Sequence, residues 1–138
     1  MKRDIMAERA ARAFRNYARL GLIHAESTLD IACKIRGICT DSSALDMLAV
    51  FDTLRLLEFL DDTIALRAVR EIYFATAKTI LHSNEISFRI RRLADEMNCD
   101  DRTVYRKLKR ARDLWSFIRT REKKQTAGKR SLLRELIT

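Results

Sequence analysis

Apolar residues along the 138-residue chain recur mostly at three- and four-residue spacing, the pattern of helices that each bury one side. Over residues 2–20, Met6, Ala10, Ala13, Phe14 and Tyr17 share one side, while Arg12, Arg15 and Arg19 share the other. This predicts an amphipathic helix that Gly21 ends or bends. A second helix is expected from about Ile23 to Ile35, where Ile31 and Ile35 stand four apart beside Ala32. Gly37 and the polar residues after it read as a turn. Ser43 followed three residues later by Asp46 resembles a capping box and predicts a third helix through about Leu60. That segment, ALDMLAVFDTLRLLEFL, is apolar almost all round, so it belongs inside a bundle, with a homodimer seam as a further option.

Asp61 to Thr63 reads as the cap of a fourth helix, with Ile64, Ala68, Ile72 and Ala75 on one stripe and Val69 and Tyr73 alongside. His82 to Asn84 marks a turn. A fifth helix from about Glu85 to Met97 carries Ile86, Ile90, Leu93, Ala94 and Met97. The stretch NCDD turns the chain into a sixth helix, expected to end near Arg121. The tail EKKQTAGKR reads as a flexible link, with SLLRELIT able to form a short helix. Pro is absent and Gly occurs only three times, so helix breakers are scarce. The pattern predicts an all-α fold of about six helices. Residues 1–60 form an N-terminal helical bundle, 61–121 a helix-turn-helix part, and 122–138 a basic tail.

Charge sharpens this picture. The net charge of +9 divides into +4 over residues 1–40, −4 over 41–75 and +9 over 76–138. Two basic ends around an acidic middle suit a body with one end dedicated to a polyanion. No uncharged run is long enough to span a bilayer, and MKRDIMAERA lacks the apolar core of a signal peptide, so a cytoplasmic location without membrane attachment is expected. Cys33, Cys39 and Cys99 form no C-x-x-C pair, and His24 and His82 stand alone. No metal site, disulfide frame or Cys/His nucleophile can be assembled from them. Phosphate-cradling, dinucleotide and hydrolase strings are absent as well. The expectation is therefore a non-enzyme with no cofactor and no small-molecule substrate.

The strongest signal is DDRTVYRKLKRARDLW, with six cationic side chains between Arg102 and Arg112. At about 100° per residue, Arg102, Tyr105, Arg106 and Lys109 share one face, and Val104, Leu108, Ala111, Leu114, Trp115 and Ile118 the other. Lys107 falls at the border, where its stem can lie along the core. No acidic residue lies between Arg102 and Arg112, so the usual lacing of i,i+4 ion pairs is missing. Trp115 is expected to anchor the helix to the core.

What precedes this helix suits a helix-turn-helix. Ala94 is small where two helices cross, and Asn98 tolerates the left-handed backbone. Cys99 can point under the turn, and Asp100 or Asp101 can accept from the free amides that open the next helix. Leu93, Met97, Val104 and Leu108 would close the small core between the two helices.

In these residues, LADEMNCDDRTVYRKLKRARDLW resembles region 4 of bacterial sigma factors, in Leu93-Ala94, Thr103-Val104, Leu108 and Arg110-Ala111-Arg112. REIYFA near Arg70 is similar to the family's preceding helix, while Asn98 and Asp100 stand in place of its glycine and serine. Residues 1–60 show no aromatic-rich pattern for promoter melting. The chain therefore resembles the shorter sigma-region-4-like phage regulators of late genes, the ArpU-like group. The resemblance implies a bacterial cytoplasmic, nucleoid-associated transcriptional regulator that reads double-stranded DNA. It also implies RNA polymerase and a second copy of the chain as candidate partners.

On that reading Arg102 and Arg106 would fork onto guanine, flanked by Tyr105 and Lys109. Arg89, Arg91, Arg92, Thr103, Lys107, Arg110 and Arg112 would touch phosphate. Two rival expectations remain. One is an adaptor or anti-sigma-like module whose basic helix meets an acidic protein. The other is an RNA-binding bundle, for which Tyr105 alone is a thin stacking platform.

Overall fold

The computed structural model describes residues 4–79 and 82–137, with side chains as far as Arg121 except that of Ser83. Within them the chain forms six α-helices: α1 (Ile5–Arg19), α2 (Thr28–Ile35), α3 (Asp41–Phe59), α4 (Thr63–Ala68), α5 (Ser83–Glu96) and α6 (Asp101–Ile137). A π-helical segment, Val69–Phe74, continues α4 without a break. No strand occurs among the described residues.

Three helices end in the same way, each with one residue in the left-handed region: Gly21 (φ 70°), Asp61 (φ 54°) and Asn98 (φ 54°). After each, the next amide donates five residues back, from Leu22 to Tyr17, Asp62 to Leu57 and Cys99 to Ala94, at 2.9–3.1 Å. This double-bonded C-cap satisfies carbonyls that the helix leaves open and turns the chain sharply. Only the first uses glycine. Asp and Asn serve at the other two because their short polar side chains tolerate this backbone better than most.

Helix starts differ from expectation in two places. α2 opens at Thr28 rather than near Ile23, because Ser27 accepts from the Asp30 amide while Asp30 reaches back to the Glu26 amide. α3 is capped not by Ser43 but by Thr40, whose hydroxyl oxygen accepts from the Ser43 amide. Asp46 is unavailable for a capping box, since its carboxylate is engaged by arginines from α1 and α6. Asp62 caps α4 as expected, accepting from the Ala65 amide.

The π-helical segment moves the buried stripe. Ala65, Ala68, Val69, Ile72 and Tyr73 are buried, and Ala75, expected on that stripe, is exposed. The wider i→i+5 bonding, seen from the Ala75 amide to the Arg70 carbonyl, shifts residues beyond Val69 off the α-helical register.

α6 is the shared element of the bundle, packing on α1, α3, α4 and α5. α3 lies inside, between α1, α2, α4 and α6. Its C-terminal end is open to solvent, with Phe59 85% exposed. Buried side chains from both sides of residue 60 belong to one cluster, from Ala10 and Phe14 on α1 to Trp115 on α6. Phe14 stacks on Tyr73 at 5.4 Å and Tyr17 on Phe74 at 5.9 Å, tying α1 to the π-helical segment. Burial, helped by the charge of Glu58, pushes the Tyr17 phenol up to about 12.

α6 does not stop near Arg121. Its backbone stays helical to Ile137, about 55 Å in all, where a flexible link had been expected. Glu, Lys and Gln favour helix, and one glycine, Gly128, costs only about 1 kcal/mol, too little to break the rod.

Candidate nucleic-acid interface

α5, a turn over Met97–Asp100 and α6 follow one another as the sequence pattern requires. The turn is fixed by Asn98 in the left-handed region and by the Cys99 and Asn98 amides donating to Ala94 and Asp95. Leu93, Ala94, Val104 and Leu108 are buried between the two helices, with Met97 and Cys99 packed at the edge. The Asp100 carbonyl accepts from the Thr103 and Val104 amides as α6 begins. On the far side of the hinge Arg67 of α4 donates to Glu96 at 2.7 Å and to Glu71 at 3.4 Å. The Arg67 guanidinium, then that of Arg92, holds the Glu96 carboxyl below its ordinary range.

The four residues expected to read bases lie together on the outer face of α6. Arg102, Arg106 and Lys109 are exposed, and no carboxylate among the described residues lies within ion-pair distance of them. Tyr105 is half-exposed beside them, at 49%. The acid-free face is limited in length, because Asp113 falls on the same side one turn beyond Lys109. The face is therefore the first three turns of α6, about 15 Å of helix.

The residues expected to touch phosphate divide. Arg91 and Arg92 are exposed and only loosely paired, at 3.7 Å to Asp101 and 3.4 Å to Glu96. Arg89 and Thr103 are half-buried at the surface. Arg110 is about half-exposed, 3.4 Å from Asp62.

Lys107 and Arg112, also expected to touch phosphate, are engaged within the chain. The Lys107 ammonium turns inward to Asp62 at 2.9 Å, and Arg112 donates to the Tyr73 hydroxyl at 2.8 Å. Both sit on the flanks of α6, within reach of acceptors on α4 and the π-helical segment. Their donors fasten the helix to the body.

A third inward cation had no signal in local spacing. Arg119, 2% exposed, meets Asp46 at 2.7 Å and the Ser42 carbonyl and hydroxyl oxygens, leaving Nη1 buried without a partner. Arg9 of α1 shares the same Asp46 oxygen at 2.9 Å and lies over the Trp115 ring at 5.8 Å. Trp115 is fully buried and donates from its indole N–H to the Asp46 carbonyl at 3.1 Å. α1, α3 and α6 are thus tied at one point, and the expected anchor residue is at its centre. Phe88 on α5 and Phe117 on α6 are exposed, at 66% and 61%, which the periodicity had not singled out.

Among the described residues no group of three His, Cys, Asp or Glu side chains is placed to hold a metal ion. No described helix is long and apolar enough to cross a membrane. Family models, curated proteins and solved structures contain no match to the chain.

Proposed function

We propose that the chain is a sequence-specific double-stranded DNA-binding transcriptional regulator that reads the major groove with the first three turns of α6. The observation carrying this reading is the free outer face of that helix. Arg102, Arg106 and Lys109 project from it without a carboxylate, while Val104, Leu108 and Ala111 behind them are buried. An α-helix fits a groove about 12 Å wide, and a planar guanidinium meets the two acceptors of guanine as a fork. Arg89, Arg91, Arg92, Thr103 and Arg110 supply the flanking phosphate contacts, which fix position without reading sequence. The likeness of residues 93–115 to sigma region 4 supports a role in late-gene control of the ArpU-like phage kind. It brings RNA polymerase and a second copy of the chain in as partners within the bacterial cytoplasm. No catalytic step belongs to this reading.

Arg106→Ala tests it. A base-reading arginine is worth about 1–3 kcal/mol of discrimination, so preference for the selected duplex over random duplex should fall by roughly 5- to 150-fold. Equal affinity of the variant and the parent for both duplexes, measured by titration at fixed salt, removes the groove placement.

Exposed Phe88 and Phe117 favour a second reading, a protein adaptor whose basic helix meets an acidic partner. That reading requires no duplex binding even at low salt, whereas a DNA reader binds random duplex with an affinity that falls steeply as salt rises.

A further inference from the structure

The opening helix carries a second basic face, which begins one turn after Glu8. On α1, Arg12, Arg15 and Arg19 fall along one stripe with Asn16 beside it, opposite the buried Ala10, Phe14 and Tyr17. None of the three arginines meets a carboxylate among the described residues. Arg12 is exposed, Arg15 lies over the Tyr73 ring at 5.4 Å, and Arg19 donates to the Ala77 carbonyl and to Asn16. Two open depressions of about 370 and 500 Å³ adjoin this face, both walled by Arg12 and Asn16, with Asp46 also lining the first and Glu8 the second.

The stripe is joined to α6 through one side chain. Tyr73 takes the Arg15 guanidinium on its ring and the Arg112 Nη1 on its hydroxyl, so α1 adjoins α6 ten residues past Arg102. Ten residues of helix are about 15 Å, and a major groove is about 12 Å wide. A helix whose first three turns occupy the groove has therefore reached the groove's edge where Tyr73 and α1 meet it. The polyanion at that edge is the sugar–phosphate backbone. Arginine suits it better than lysine because its planar fork pairs with two phosphate oxygens.

We propose that the α1 face formed by Arg12, Arg15 and Arg19 is a second contact surface, which grips the phosphate backbone of the same duplex beside the groove that α6 enters. The proposal rests on the DNA-reading function above and extends it. The bundle then clasps DNA with two elements far apart in sequence, and α1 supplies affinity but no sequence preference.

The test uses the full chain with Arg12→Gln and Arg19→Gln combined, and the charge-keeping pair Arg12→Lys and Arg19→Lys as its control. Arg15 is left intact because it packs on Tyr73. Affinity for a random-sequence duplex of about 30 base pairs is measured across salt concentrations, and again on one of about 12 base pairs, little more than a helical turn. On the long duplex the glutamine pair should lower the slope of log affinity against log salt by about two, measured at a temperature where variant and parent are equally folded. The short duplex, about 40 Å long, still includes the backbone beside the groove, so the slope should fall there as well. Preference for the selected site over random sequence should stay as in the parent, and the lysine pair should keep most of the slope.

An unchanged slope on either duplex overturns the proposal. If Arg106→Ala abolishes preference while the α1 pair leaves the slope untouched, the reader stands and only the α1 contact falls. If the parent chain binds no duplex at low salt, both fall together.

Discussion

The two sides of α6 use the same kinds of residue for opposite ends. Arg102, Arg106 and Lys109 face solvent with no ion-paired carboxylate among the described residues, while Lys107, Arg112 and Arg119 on the flanks and inner face are bound to Asp62, Tyr73 and Asp46. Arg106 and Lys107 are neighbours in sequence, and one residue of helix, about 100°, separates a free cation from a fastened one. Count of charge therefore says little about what a helix presents. The acidic middle of the chain makes the point from the other side. Its Asp46 and Asp62 are spent on cations of α1 and α6, so the segregation of charge along the sequence is partly cancelled in space. What is left over, on the outside of α6 and α1, is the charge available to a partner.

The sharpest way to break this contrast is at Asp46. Asp46→Asn keeps the shape but removes the one carboxylate shared by Arg9 and the buried Arg119. An uncompensated buried guanidinium costs about 3–5 kcal/mol, visible as a large drop in the denaturant midpoint. Adding Arg119→Met should recover much of the loss, because an apolar side chain of similar length fits the site and needs no counter-ion. If Asp46→Asn alone changes stability by less than about 1 kcal/mol, Arg119 is not a fastening and the two sides of α6 differ less than described.

The helices and the free face were legible because both depend on spacing within one segment. The stripe through Ile90, Leu93, Val104 and Leu108, the left-handed residue at Asn98 and the anchoring Trp115 follow from residues a few positions apart. The fastenings were not legible, because Arg119 and Asp46 are 73 residues apart and Lys107 and Asp62 are 45 apart. Local pattern shows that a cation lies near the apolar border, as it did for Lys107, but not which distant acceptor arrives there. The cap of α3 was misplaced for the same reason, since Asp46 is drawn off by tertiary partners. The π-helical register over Val69–Phe74 left no trace in the hydrophobic spacing, so Ala75 was put on the wrong side.

A smaller effect is expected at Asp62, which works on two elements at once. One oxygen accepts from the Ala65 amide at the start of α4, and the other takes the Lys107 ammonium, with Arg110 nearby. Asp62→Ala removes a helix cap, worth about 1 kcal/mol, and a largely buried ion pair besides, for a total of about 2 kcal/mol. Asp62→Asn should lose less, since the amide oxygen can still cap. Equal melting temperatures for the alanine variant and the parent would mean that Asp62 does not hold α6.

The smallest expected effect is the most direct comparison: Arg106→Met against Lys107→Met, adjacent residues given the same replacement. Arg106 contributes its guanidinium to solvent alone, so its loss should leave stability within about 0.5 kcal/mol, as at other surface positions without partners. Lys107→Met leaves the Asp62 carboxylate, 7% exposed, with only the Ala65 amide and a longer approach from Arg110, and should cost about 1 kcal/mol. Duplex affinity should move the other way, falling for Arg106→Met and holding for Lys107→Met at a temperature where both are folded. Destabilisation by the arginine change, or loss of DNA binding by the lysine change at equal folded fraction, would put the working face of α6 on the wrong side of the helix. The pair is informative because helix propensity, side-chain length and the charge removed nearly match, so the direction in which each residue points is the main variable left.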